Sequence, residues 1–457
     1  MNGILFKKTD EKVKKLTERL RDIIGDGYYK GKVYFVGKCV RDMILGEPID
    51  VIDVIVGLEL SPTPFVTFLV GKEKNYEAGK NPTFTGNNII AHFNDDKEYA
   101  DIELNFIGLQ KANDIDVIKE YVKRGDLTID TLCYNVTEDK IYDFNGKGLY
   151  DLFSRIVRTA NDPDKTFDET PIAMLNVIKT ASMYGWGIEK NTWVSIIKNA
   201  DKINDASQYL ITSDLIDIIC TEKPSVGMEK LLYSGLLNEI LPDVYNMTKV
   251  FTSPSMKETV FQHTLNVMND VEMEPENRFA ALFHEVGKTM ENKDKSMSPN
   301  QFSSETTEKI LRNLRLPDGL IKNVTSAIRH YGWFYTYSKE NFPSDKKIKK
   351  LINSCKGSVA LTFDLMNSDI FNSPLKEKGI PLTDILTRAL EIVETNDFEE
   401  IETPVNGKDL QERFHIKPSP LVGKMLDEIK NQCIENPNIT KEECFAVAET
   451  VMNSLTY

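Results

Sequence analysis

Between residues 33 and 56 the sequence pattern changes three times, from strand to glycine turn, from turn to helix and from helix to strand. Val33–Val36 is a run of β-branched and aromatic residues that ends at Gly37, and residues 40–45 then show a helical period. Val51–Val56 is nearly all apolar, which predicts a second strand buried on both faces. Strand, glycine turn, helix and strand together predict a mixed α/β domain. Further strands are predicted near residues 89–94 and 99–107, after a loop over residues 71–88.

The pattern becomes helical after Phe167 and stays so to the end of the chain, apart from a polar stretch over residues 289–304 that we predict to be a loop. The fold class is therefore α+β, with a small mixed-sheet head followed by an all-α remainder. We predict an N-terminal helix over residues 1–30, a head over 31–160, a helical neck and body over 161–250, a helical domain over 251–400 and a C-terminal helical tail over 401–457.

Composition excludes several classes of protein. The chain of 457 residues is 41% hydrophobic, which is typical of a globular protein, and it lacks the run of about 20 apolar residues that a membrane span needs. Its start turns charged too early for a signal peptide, so we expect a cytosolic location. The net charge of −14 is opposite to that of most proteins that hold nucleic acid by its phosphates. Any RNA would therefore have to meet a local basic surface.

Acidic residues follow the glycine turn in a way that suggests nucleotidyl transfer. A turn and helix N-terminus can present backbone N–H groups to a triphosphate, and nearby carboxylates can hold Mg²⁺. Asp50 and Asp53 are the candidates at the second strand, with a third carboxylate at Asp101 or Glu103. Successive side chains of a strand point to opposite faces, so the side chains of Asp50 and Asp53 share a face only if a β-bulge turns Asp50 toward it.

Here the chain resembles the tRNA nucleotidyltransferase and poly(A) polymerase family, which includes the bacterial CCA-adding enzymes. The likeness continues in order through Arg124-Gly125-Asp126, through residues 143–159 and at Glu169. It implies a nucleotidyltransferase head that uses Mg²⁺, with Asp53 and Asp101 among the metal ligands. The nucleotide-binding residues that it implies are Gly37, Lys38, Arg41, Asp42, Arg124, Asp126, Asp130 and Glu169.

The chain departs from the family pattern at several positions. The first carboxylate of the family's acidic strand falls on Val51. The family selects its bases with an Asp and an Arg whose positions here hold Thr170 and Ala173, and the next two family arginines fall on Asn176 and Lys179. Arginine can form two hydrogen bonds to a base or phosphate, whereas alanine offers none.

Four of the five histidines lie in the helical half, and three of them, His263, His284 and His330, lie at positions that suggest a shared site with acidic residues. His263, then His284-Glu285, and finally Asp369 resemble the H…HD…D pattern of the HD phosphohydrolase domain that some bacterial CCA-adding enzymes carry. The resemblance implies a second divalent metal held by these four residues, with Glu285 in place of the usual Asp and Lys288 near a phosphate. The alternative is that the histidines only pack in the core.

The leading hypothesis is template-independent addition of CMP and AMP to the 3′ end of a tRNA or other RNA, with CTP and ATP as substrates. One alternative is an HD-type phosphohydrolase that acts on nucleotides. Another is a catalytically inactive homologue that binds RNA or a protein partner. No membrane partner is expected.

Overall fold

The computed structural model of this chain describes residues 10–57, 61–72, 76–79, 88–93, 101–108, 118–119, 121–122, 124–253, 257–289, 297–355, 357–394, 403–436 and 438–454. The chain forms two compact units, Met1–Leu215 with Tyr233–Glu239 and Ile216–Leu232 with Ile240–Tyr457. The finer division into five parts stays a prediction. None of the helices in the described ranges is both long and apolar enough to cross a membrane.

The described part of the first unit contains a seven-stranded mixed sheet and a separate pair of short strands. The strands are β1 Val33–Val36, β2 Val51–Val56, β3 Tyr76–Gly79, β4 Ile89–Phe93, β5 Glu103–Phe106, β6 Leu132–Asn135, β7 Lys140–Asp143, β8 Ile156–Val157 and β9 Gly187–Ile188. The order in the sheet is β3-β4-β5-β2-β1-β6-β7, and only β2 and β5 pair in parallel. The predicted α+β class is confirmed.

Helices are interspersed with strands as far as β9, and the regular elements of the described chain after β9 are helices. Up to Ile240 they are α1 Glu11–Ile24, α2 Lys38–Leu45, α3 Thr63–Lys72, α4 Gly148–Ser154, α5 Pro163–Glu169, α6 Ala173–Met183, α7 Lys190–Asn199, α8 Gln208–Ile219, α9 Pro224–Tyr233 and α10 Leu236–Ile240. After it they are α11 Pro242–Asn246, α12 Val260–Asp270, α13 Pro275–Phe283, α14 Pro299–Asn313, α15 Asp318–His330, α16 Asp345–Cys355, α17 Val359–Phe371, α18 Leu382–Glu394, α19 Gly407–Phe414, α20 Pro420–Glu435 and α21 Lys441–Ser454.

Two predicted loops contain regular structure. Strand β3 lies within the stretch 71–88, where its antiparallel pairing with β4 outweighs the loop-like composition. Helix α14 begins inside the stretch 289–304, because Ser298 and Gln301 form a capping box at its start. Residues 73–75, 80–87 and 290–296 of these stretches lie outside the described ranges.

The register of β1 leaves the first half of β2 exposed on one side. Pairing between these strands ends at Phe35 and Val54, so residues 51–53 extend past the end of β1. Val51 is 47% exposed as a result, and the prediction that β2 is buried along its whole length was wrong there. The same extension leaves Asp53 accessible at the end of the central strands.

In the second unit, buried helices surround the HD-like residues. Residues 278–283 of α13 are all buried, so this helix is enclosed by its neighbours, and His284 at its end is fully buried too. His263 lies on α12 and Asp369 on α17. The last three helices, α19 to α21, contribute to an apolar cluster of their own around Leu410, Met425 and Ala448.

Candidate functional site

A cavity of about 470 Å³ lies in the first unit at the turn between β1 and α2. It brings together residues from distant parts of the chain, six of them predicted from the sequence. The predicted residues in its lining are Gly37, Lys38, Asp53, Arg124, Asp126 and Asp130. The others are Val36, Tyr121, Val122, Gly125 and Asn176.

Gly37 makes the turn that gives the cavity its shape. Its φ of 80° lies in the left-handed region that favours glycine, and it caps α2 without any side chain. A Cβ at this position would lie 3.9 Å from Asp53 Oδ2, so the turn also runs close to the acidic strand. The backbone N–H groups at the start of α2 and the exposed ammonium of Lys38 suit an anion such as a phosphate.

Asp53 and Glu103 lie on the same face of the two parallel central strands. In the β2–β5 register Asp53 pairs with Asn105 and Val51 pairs with Glu103. Asn105 Nδ2 donates a hydrogen bond of 2.8 Å to Asp53 Oδ1. Burial raises the pKa of Asp53 above its ordinary value, the negative charge of Glu103 adds to this, and Lys38 and Asn105 oppose it. The β2–β5 register thus places a second carboxylate on the same face as Asp53.

Of the predicted carboxylates, Asp50, Asp101 and Glu103 do not line this cavity. Asp50 precedes β2 and is exposed, and its backbone carbonyl accepts a hydrogen bond of 2.7 Å from the Glu103 N–H. The side chain of Asp101 is 81% exposed and lies 3.7 Å from the ammonium of Lys12. Of the two alternatives for the third carboxylate, the geometry favours Glu103.

Arg41 is buried in a cluster of charged side chains and does not line the cavity. Its Nε donates to Asp42 Oδ1 and its Nη1 to Asp130 Oδ1, both at 2.8 Å, and Tyr184 Oη donates to Asp42 at 3.0 Å. Burial alone would lower the pKa of Arg41, but Asp130 and Asp42 raise it. The guanidinium is therefore used to join α2 to the turn at residues 128–130, and we interpret it as a positioning group.

The start of α6 contributes one polar residue to the cavity. Asn176 Nδ2 donates a 3.3 Å hydrogen bond to Asp126 Oδ2, and burial raises the pKa of Asp126. Glu169 and Thr170 are exposed and Ala173 is fully buried, and none of these three lines the cavity. Lys179 forms an ion pair with Asp214. From the sequence, Asn176 was noted only as a position where the family has an arginine. It lies about one helical turn after Ala173, and this spacing is the signal that could have placed the two residues on one face of the helix.

His263, His284 and Asp369 form a compact buried group in the second unit. Each offers one ligand atom, and these atoms all lie within 4.8 Å of one another. His263 Nε2 is 2.8 Å from Asp369 Oδ1, and His284 Nε2 is 3.6 Å from the same oxygen. Burial disfavours the imidazolium form of His263, but the hydrogen bond to Asp369 raises its pKa. Among the described residues this is the one such group of three or more.

Two buried atoms beside this group have no hydrogen-bond partner. His284 Nδ1 is 2.7 Å from the Ala281 carbonyl, which can only accept, so Nδ1 carries the proton and Nε2 presents a lone pair. His284 Nε2 and Glu285 Oε2 are the unpartnered atoms. A histidine whose second nitrogen is bound to a carbonyl is the usual arrangement of a metal ligand. The donor set therefore fits a divalent cation.

A cavity of about 370 Å³ opens onto this group. Its lining includes His263, Glu285, Lys288 and Asp369, while Tyr335 donates a hydrogen bond to Asp369 from one wall. Lys288 forms an ion pair with Glu285. His330 is not part of the lining; its Nδ1 lies 2.8 Å from the Ser326 carbonyl, and burial lowers its pKa.

Comparison with known proteins gives two matching families. The family described as "Poly A polymerase head domain" matches residues 33–158, and the family described as "Probable RNA and SrmB- binding site of polymerase A" matches residues 185–247. A CCA-adding enzyme of Lactococcus lactis is 24% identical over 444 residues, which span 94% of this chain and 95% of that enzyme. A tRNA nucleotidyltransferase of Schizosaccharomyces pombe is 24% identical over 71% of this chain and 69% of that protein.

Solved structures give the same answer for the fold. A CCA-adding enzyme in complex with ATP superimposes with a TM-score of 0.61 at 18% identity and covers 99% of this chain and 98% of its own. The Thermotoga maritima CCA-adding enzyme complexed with tRNA superimposes with a TM-score of 0.59, also at 18% identity and with the same coverage of the two chains.

Proposed function

Since the chain belongs to the tRNA nucleotidyltransferase and poly(A) polymerase family, we propose that it adds CMP and AMP to the 3′ end of a tRNA without a template. The observation that carries the proposal is the cavity in which Asp53 faces Lys38 and the glycine turn. Phosphate-binding groups and a cation-binding carboxylate are the parts that phosphoryl transfer needs in one place. The nucleoside triphosphates would be CTP and ATP, as in the complexes solved for related enzymes.

The first unit supplies groups for both the metal and the triphosphate. Asp53 and Glu103 would hold Mg²⁺, which binds through one or two carboxylates together with substrate phosphates. Held there, the ion would supply activation of the attacking 3′-hydroxyl and neutralisation of charge on the leaving pyrophosphate. Lys38, Arg124 and the N–H groups at the start of α2 would bind the phosphates and orient the α-phosphate toward Asp53. Asp42 and Asp130 act through Arg41 to position α2.

The direct experiment is incorporation of labelled CMP or AMP. The full chain is incubated with Mg²⁺, labelled CTP or ATP, and a tRNA that lacks its 3′-terminal nucleotides. Labelled RNA that forms only when the tRNA lacks its 3′-terminal nucleotides supports the proposal. No labelled RNA at high protein concentration, with the protein shown to be folded, would instead support the inactive homologue that binds RNA or a protein. A cytosolic location stays a prediction.

For the second unit we propose that His263, His284, Glu285 and Asp369 hold a second divalent cation. The support is the unpartnered Nε2 of His284 beside Asp369 and the unpartnered Oε2 of Glu285. Imidazole and carboxylate ligands suit Zn²⁺, Mn²⁺, Ni²⁺ and iron. A cation there would supply an activated water for attack on a phosphoester, with Lys288 beside the phosphate, so hydrolysis of 2′,3′-cyclic nucleotides to the ring-opened monophosphate is the activity to assay.

The variant His284→Ala is expected to lower the metal content of the purified protein at least about tenfold, because it removes a buried nitrogen whose lone pair is unpartnered. The measurement is elemental analysis by mass spectrometry after dialysis against metal-free buffer. His330→Ala is the matched control, since His330 is bound to a backbone carbonyl outside the cavity, and it should keep the metal. Equal metal content in both variants would contradict the metal site.

A further inference from the structure

Tyr335 places a hydroxyl group against Asp369 in the buried group of the second unit. The hydroxyl donates a hydrogen bond to Asp369 Oδ2. The other carboxylate oxygen, Oδ1, faces the histidines and lies 2.8 Å from His263 Nε2 and 3.6 Å from His284 Nε2. The two oxygens of Asp369 therefore have different surroundings, one beside two imidazoles and the other beside a phenol.

The chemistry of the two groups fixes the direction of this hydrogen bond. A carboxylate only accepts hydrogen bonds, and a tyrosine hydroxyl, whose ordinary pKa is about 10, carries its proton at neutral pH. A hydrogen bond from a hydroxyl to a charged carboxylate is one of the stronger kinds in proteins. Turning Oδ2 of Asp369 toward a cation would break this bond, so Oδ1 is the oxygen that the side chain offers as a ligand.

The segment that carries Tyr335 is packed onto the helix that carries Asp369. Tyr335 belongs to the 3₁₀ helix Tyr331–Thr336. Its neighbour Phe334 is fully buried and packs against Phe363 of α17, with 4.8 Å between the ring centroids. Asp369 lies on α17 as well. Donor and acceptor are therefore held on elements that pack against each other.

Tyr331 connects the same short helix to the histidine side of the group. Its ring lies edge-on to His284, with 5.4 Å between the ring centroids, and edge-on to Tyr335, with 5.9 Å between them. Tyr331 is itself buried, with 4% of its surface exposed. One short helix thus contacts both an imidazole and the carboxylate of the group.

We propose that Tyr335 is a positioning residue of the second metal site, which limits Asp369 to one ligand oxygen and thereby makes the site discriminate against Ca²⁺. This inference rests on the metal site proposed above. Ca²⁺ takes about six to eight oxygen ligands and binds carboxylates through one or both oxygens. Ni²⁺, Zn²⁺ and iron accept imidazole nitrogens. A carboxylate that offers one oxygen beside two imidazoles suits the second kind of ion and leaves Ca²⁺ short of ligands.

The test is the sensitivity of Ni²⁺ binding to Ca²⁺. The full chain without an affinity tag, carrying Asp53→Asn so that the head cavity contributes no cation binding, is the parent protein. The parent and its Tyr335→Phe variant are freed of metal with a chelator and titrated with Ni²⁺ by calorimetry, alone and in a fixed excess of Ca²⁺. Tyr337→Phe is the matched control, because Tyr337 is a buried tyrosine directly after the same short helix and is not among the described residues that line the cavity.

Tyr335→Phe is expected to bind Ni²⁺ about tenfold more weakly than the parent, because a metal ligand that loses its hydrogen-bond partner loses its fixed orientation. Excess Ca²⁺ should weaken the binding of Ni²⁺ to this variant at least about threefold further, since the freed Oδ2 can then join Oδ1 as a ligand of Ca²⁺. The parent and Tyr337→Phe should bind Ni²⁺ equally well with and without Ca²⁺.

Sensitivity to Ca²⁺ separates positioning of the ligand from damage to the fold, because a distorted site loses Ni²⁺ without gaining Ca²⁺. Ni²⁺ binding to Tyr335→Phe that Ca²⁺ does not change overturns the inference, whether or not the affinity for Ni²⁺ has fallen. Competition by Ca²⁺ in the parent protein overturns it as well. Absence of Ni²⁺ binding by the folded parent overturns the proposed metal site itself.

Discussion

Replacing Asp53 by asparagine is expected to lower the rate of nucleotide incorporation by on the order of a thousandfold. Asp53 is the carboxylate of the acidic strand that lines the cavity, at the place where β2 extends past β1. A bound cation contributes several kcal/mol of charge stabilisation, and each 1.4 kcal/mol or so changes a rate about tenfold. The measurement is the initial rate of labelled CMP or AMP transfer to a tRNA lacking its 3′ end.

Asp50→Asn is the matched control, because Asp50 is exposed and lies just before the strand. We expect its rate to stay within about twofold of the wild type, as for most surface substitutions. Equal losses in the two variants would show that a bulge brings Asp50 to the metal and that the described register is not the active one. Glu103→Gln should lower the rate more than Asp101→Asn does, since Glu103 shares the face of Asp53.

Arg41→Met is expected to lower the free energy of unfolding of the first unit by about 3–5 kcal/mol. The substitution leaves the side chains of Asp42 and Asp130, which are only 18% and 9% exposed, without their cation. Uncompensated buried charges cost far more than the lost ion pairs stabilise. Loss of the Arg41 guanidinium also removes the link between α2 and the turn at residues 128–130. The rate of nucleotide incorporation should therefore fall together with the free energy of unfolding.

Urea unfolding followed by tryptophan fluorescence measures this change. Trp186 and Trp193 belong to the first unit, and a Trp333→Phe background removes the signal of the second. Lys12→Met is the control, because it breaks the exposed pair with Asp101 and should cost less than about 1 kcal/mol. A similar small cost for Arg41→Met would show that Asp42 and Asp130 are solvated without Arg41. The double variant Arg41→Met/Asp130→Asn should recover part of the loss.

Local pattern predicted most of the elements. The β-branched run before Gly37, the helical period after it and the apolar run at 51–56 each correspond to an element with nearly the predicted bounds. Such elements depend on the backbone preferences of neighbouring residues and on burial of one face, which the sequence shows directly. Strand β3 was not predicted, because it depends on its pairing with β4. The start of α14 was not predicted, because the capping box of Ser298 and Gln301 was not recognised in the sequence.

The grouping of site residues was predicted less completely. The resemblance to a family placed Asp53, Lys38 and Asp126 in one site, and His263, His284 and Asp369 in another. It did not decide between Glu103 and Asp101 as the third carboxylate. It also assigned Arg41 to the triphosphate, whereas the structure buries this side chain in a cluster of charged groups. It also gave no role to Asn176. These distinctions depend on strand register and burial, which involve residues about 50 to 90 positions apart.

The sequence by itself therefore determined the order and type of the elements and the stock of chemical groups, because both are local properties of the chain. Only the tertiary structure decided which groups face a cavity and which form hydrogen bonds or ion pairs with one another. The physical reason is that a side chain's role depends on its partners: Arg41 is occupied by two carboxylates, whereas the acceptor of Asn176 has none.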